Sequence, residues 1–111
     1  MLNYNNVYLT SIGKYKEVRT LQNETGVKVV EAKVLKYDQR TAFQQGYHKV
    51  LRKDHMVIIK FVRLDQFNKN EITCIKKLGK KSLYHVLDHG IHTFGHIQYK
   101  MIVLQKLGFS L

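Results

Sequence analysis

The sequence has no proline and no tryptophan, only one cysteine, and few carboxylates: 8 Asp and Glu stand against 19 Lys and Arg in 111 residues. The lone Cys74 excludes an internal disulfide framework, so a reducing compartment is expected. Without proline, the chain must be broken by Gly, Asn and Asp. No apolar run approaches the ~18 residues that cross a bilayer. The opening "MLNYNNVYLT" has no basic segment followed by an apolar one, so it does not read as a signal peptide. An intracellular protein, cytoplasmic or nuclear and without membrane contact, is the expectation.

What is present is charge of one sign and enough apolar residues for a core. The net charge is +11 and 44% of residues are hydrophobic. That suits one small globular domain and excludes a disordered chain. The excess of positive charge permits phosphate-rich partners. Lys and Arg are spread from Lys14 to Lys106, and the densest run, "KKLGKK" (Lys76 to Lys81), is too short for a basic tail. A solvated basic surface is therefore favoured over dedicated nucleic-acid binding.

The first 26 residues are weakly patterned and read as an N-terminal extension. The β-branched "VKVVEAKVL" from Val27 signals a strand. "AFQQGYHKVL" fits strand or helix, and "MVIIKFVRL" (Met56 to Leu64) is a strong strand. "NKNEITCIKKL" has the helical spacing Ile72, Ile75, Leu78, with Asn68 as N-cap and Gly79 as C-cap. "SLYHVLDHGI" and "QYKMIVLQKL" read as two strands joined through "HTFGH". The expected fold is α+β: a five-stranded antiparallel sheet with one packed helix over residues 27–111.

Lys60 stands inside the apolar strand "VIIKF" and requires a counter-charge or a solvent exit. Glu71 lies one helical turn before Ile75, beside the apolar helix face. A strand lysine and a helix glutamate facing over a sheet would form one constellation. Glu71 also fits a capping box with Asn68.

From Val27 to Leu111 the chain resembles the N-terminal lobe of a protein kinase of the casein kinase 1 group, with its tau-tubulin and vaccinia-related branches. "MVIIKF" is similar to that family's V-A-I-K strand, and "FGHIQYKMIVLQKLGFSL" to its fifth strand and hinge. The resemblance implies an ATP site. Lys60 would hold phosphates, Glu71 would hold Lys60, and Ile58 would pack on adenine. Leu104 would be the gatekeeper, with Gln105 to Leu107 as the hinge.

The departures are large. "KYDQRTAFQQGY" lacks the glycines of a phosphate-cradling loop, so ATP binding should be weak or lost. The chain carries no H-R-D-like or D-F-G-like motif, so no catalytic residue is assigned and the chain is expected to be inactive. Three functions follow: the ATP-binding lobe of a Ser/Thr protein kinase, as a fragment or a degenerate remnant; a non-catalytic interaction module engaging a protein or itself through the surface a second lobe would cover; and a basic nucleic-acid binder. His85, His89, His92 and His96 invite a metal reading. His85 and His89 would lie roughly 13 Å apart on an extended strand, so four converging ligands are not expected. Cys74 reads as a packing residue.

Overall fold

The computed structural model describes residues 6–24, 26–47, 50–66 and 86–105. Six strands are present: β1 (Val7–Leu9), β2 (Gly13–Glu24), β3 (Val27–Tyr37), β4 (Met56–Arg63), β5 (Val86–Phe94) and β6 (Ile97–Gln105). One short helix, α1 (Gln39–Gln44), follows β3, and a 3₁₀ turn over Leu64–Gln66 follows β4. All pairings are antiparallel, in the order β1-β2-β3-β4-β6-β5. The sheet curls until β1 lies against β5, giving a nearly closed six-strand barrel.

This corrects the expected five-stranded sheet with one packed helix. The weakly patterned segment before Val27 supplies two strands, which turn an open sheet into a barrel. "AFQQGYHKVL" contains no strand among its described residues; Ala42 to Gln44 end α1. The two strands around "HTFGH" are Val86–Phe94 and Ile97–Gln105, so their hairpin turns on Gly95 and His96 alone. Gly95 has φ +62°, the left-handed backbone that such a tight turn requires. The predicted helix from Asn68 to Leu78, with Glu71, Cys74 and its Gly79 cap, lies outside the described residues, as does His85.

Alternation along each strand fills the barrel. Val57, Ile59 and Phe61 of β4, Met101 and Val103 of β6, and Val30, Ala32 and Val34 of β3 form the core with Tyr8, Tyr15 and Leu87. One end of the interior is aromatic. Tyr8, Phe61, His92 and Phe94 meet edge-on or tilted with centroids 4.6–6.0 Å apart, and Tyr99 packs on Phe94 at 5.3 Å. Such tilted geometries suit the ring quadrupoles. The other end carries a second cluster, in which Ala42 of α1 packs with Ile12 and Tyr47 against Tyr37 and Val86. Asp38 caps α1, accepting from the Thr41 amide at 3.1 Å.

The seam between β1 and β5 is made by side chains. Asp88 of β5 is buried and accepts from the Thr10 hydroxyl, from the Tyr15 hydroxyl at 2.6 Å and from the His89 amide at 2.7 Å. Gly13 sits where a Cβ would collide with the Tyr15 ring and hydroxyl. Burial raises the Asp88 carboxyl above its ordinary value, and the donors from Thr10, Tyr15 and His89 offset this only in part. Tyr15 is raised as well, first by its own burial and then by the charge of Asp88. Tyr47 is pushed up to about 12 by burial and by Asp88. Nearby, the Tyr37 hydroxyl donates to the Leu87 carbonyl at 2.6 Å, tying β3 to β5.

Candidate polyanion-binding face

The outer face of the β2–β3 hairpin is built from lysines set opposite one another. Lys14 pairs in register with Lys36, and Lys16 with Lys33. All four are exposed. Cβ atoms of directly opposed residues lie about 4.5–5.5 Å apart, and like charges so placed repel. Alternation explains the placement: Tyr15 and Val34 point into the core, so their neighbours point out. A register shift between Lys14 and Tyr15 keeps Lys33 and Lys36, three residues apart, opposite lysines that are two apart. On the β1 side, Leu9 stands opposite Lys14 and Val7 opposite Lys16, both exposed.

The nearby carboxylates are engaged elsewhere. Glu31 is buried and pairs with Arg19 at 3.2 Å. Glu17 accepts from the Tyr8 hydroxyl at 2.5 Å and lies 3.5 Å from the Lys28 ammonium. Asp38 is spent on the α1 cap; its bonds from Thr41 hold it below its ordinary value, with Lys36 adding a smaller pull in the same direction. Among the described residues, Lys14, Lys16 and Lys33 form no ion pair.

The residues singled out by the kinase resemblance lie elsewhere. Since Val57, Ile59 and Phe61 face the core, Ile58 and Lys60 take the opposite face of β4. Ile58 stands opposite Leu104, and Lys60 opposite Ile102 and Val29. Gln105 pairs with Val57. The register thus brings Ile58, Lys60 and Leu104 onto one surface of β4 and β6. Lys60 is half-buried and engaged. Val62, Ile102 and Leu104 are buried yet belong to neither core cluster. Glu71 and Leu107, the remaining predicted members, lie outside the described residues.

The histidines divide between the two faces. His89 is exposed, with its Nδ1 2.9 Å from the Lys100 ammonium. His92 points inward against Tyr8 and Phe94, and burial, then Lys28, holds it below its ordinary value. His96 is in the β5–β6 turn. Among the described residues, no group of three or more His, Cys, Asp or Glu is placed to hold a metal. No helix of those residues is long and apolar enough to cross a membrane.

Sequence reasoning missed the lysine quartet and the Asp88 cluster. Lys-x-Lys at 14–16 and Lys-x-x-Lys at 33–36 are visible in the chain, but only the strand register sets them opposite. No family model matches the chain, and no curated protein matches it.

Proposed function

We propose that this chain is a non-catalytic binding module whose β2–β3 face docks on the phosphate backbone of nucleic acid. The observation that carries the reading is the opposition of Lys14 to Lys36 and Lys16 to Lys33. Opposed like charges cost stability in the free protein. Phosphates laid across the two strands would turn that repulsion into attraction and release counterions. Among the described residues the face offers no exposed aromatic ring for base stacking, so the binding is to backbone and is sequence-tolerant. The net charge of +11 adds long-range attraction.

The test is fluorescence anisotropy with a labelled duplex across a salt series. Four phosphate contacts give a log–log salt slope of about −3 to −4. Replacing Lys14, Lys16, Lys33 and Lys36 by Gln should remove most of that slope. Binding that ignores salt, or that survives the fourfold replacement, refutes the reading. Anionic lipid vesicles are the control: capture by vesicles with no affinity for the duplex would assign the face to a membrane surface.

A second reading keeps nucleotide binding, following the casein-kinase-1-like resemblance. It is favoured by the shared surface of Ile58, Lys60 and Leu104. In that reading the Lys60 ammonium meets phosphate and the two aliphatic residues meet the base, without catalysis. An ATP-dependent thermal shift abolished by Lys60→Met would support it; no shift in the parent protein would remove it.

A further inference from the structure

A cleft of about 740 Å³ opens where the β5–β6 turn meets the end of β4, lined by Arg63, Asp65, Thr93, His96, Ile97 and Gln98 among others. It is a wide, open depression, so a ligand there is held by the groups on its floor rather than by enclosure. Arg63 ends β4, opposite Tyr99, and its amide donates to the Gly26 carbonyl at 3.1 Å. Its guanidinium is only half used. The Nη2 donates to the Asp65 carboxylate at 3.0 Å, while Nε is buried and has no hydrogen-bond partner. A buried unpaired N–H is rare and calls for an explanation.

We infer that this cleft binds a small carboxylate-bearing ligand, seated side-on against Arg63. The Nε–H and one Nη–H form the side edge of a guanidinium, which matches the two oxygens of a carboxylate. Asp65 reaches that edge through one oxygen, Oδ2, on Nη2 alone. A free carboxylate would displace Asp65 and satisfy both donors. The group already on the edge therefore indicates the chemistry the edge accepts. Asp65 is free to leave, since its side chain is 63% exposed against 33% for Arg63. Thr93, His96 and Gln98 supply hydrogen-bonding groups around the rest of the ligand, and Leu64 and Ile97 supply apolar contact. Asp65 thus acts as an internal competitor. The site is separate from the lysine face and does not depend on it.

The test is a titration of the full ¹⁵N-labelled chain with succinate, followed at the arginine Nε–H resonances, with inorganic phosphate as a parallel arm. Arg63→Lys identifies the Arg63 signal by its loss. Succinate should move that signal saturably. Asp65→Asn should tighten binding about 2- to 5-fold, the strength of an exposed ion pair. Arg63→Lys, followed by calorimetry, should weaken it tenfold or more. Asp65 is exposed, so its variant informs even if Arg63→Lys folds poorly. No movement with succinate, equal affinity in Asp65→Asn, or saturation by phosphate without succinate would each overturn the inference.

Discussion

The Tyr15 hydroxyl donates to the buried Asp88 carboxylate at 2.6 Å across 73 residues of sequence. This contact, with that of Thr10, joins the first hairpin to β5. Removing the donor leaves a buried carboxylate short of a partner. Tyr15→Phe should lower stability by about 1.5–3 kcal/mol, the range for hydrogen bonds to charged groups. Urea unfolding measures it; a loss below half a kcal/mol would show that the seam does not depend on this bond.

Gly13→Ala should act on the same contact from the other side. The added methyl overlaps Tyr15 and must push its ring and hydroxyl away from Asp88. The variant should unfold at lower urea than the parent. In a Tyr15→Phe background the same substitution should cost less, because the bond is already gone.

Acid should act in two opposite ways. Asp88 has a folded value raised above the unfolded one, so the folded state binds its proton more readily. Its contribution therefore makes stability fall as pH rises from its ordinary 3.8 through the raised folded value. His92 has a folded value below its ordinary 6.5, so its contribution is lost as pH falls from 6.5 through the lowered value. Asp88→Asn should remove the first slope and His92→Gln the second. Urea midpoints between pH 4 and pH 8 separate them; an unchanged profile in either variant refutes the corresponding assignment.

Lys16→Glu separates function from stability. Opposite charges would face each other where two lysines now do, at Lys33. Stability should rise by about 0.2–1 kcal/mol, while affinity for a duplex should fall and its salt dependence flatten. Thermal unfolding and anisotropy on the same sample check both. A drop in stability would show that the opposed lysines do not strain the free protein.

The strands that sequence reasoning located are those with buried, β-branched alternation. Val57, Ile59 and Val103 mark β4 and β6 plainly. The hairpin of β1 and β2 was hidden for physical reasons. From Val18 onward β2 is exposed on both faces, so no apolar period survives. Register shifts at Lys14/Tyr15, Glu17/Arg19 and Thr20/Gln22 break the period of two elsewhere. The six-residue α1 is too short to show a helical period. Asp88 gave no local signal because its partners, Thr10 and Tyr15, are more than 70 residues away. Ile58, Lys60 and Leu104 were grouped in the sequence only through the family resemblance; their common surface comes from the register of β4 and β6.

Closure of the barrel by side chains has a consequence for how the molecule breathes. Elsewhere each strand is held to its neighbour by a backbone ladder; between β1 and β5 the order of pairing has no such ladder among the described residues. The three-residue β1 can fray from β5 and from its short ladder to β2 while the ladders among β2 to β6 stay intact, which makes this seam the door to the interior. Amide exchange should be fastest at Tyr8 and Leu9 and slow at Ile59 and Met101, and Tyr15→Phe should leave the door ajar.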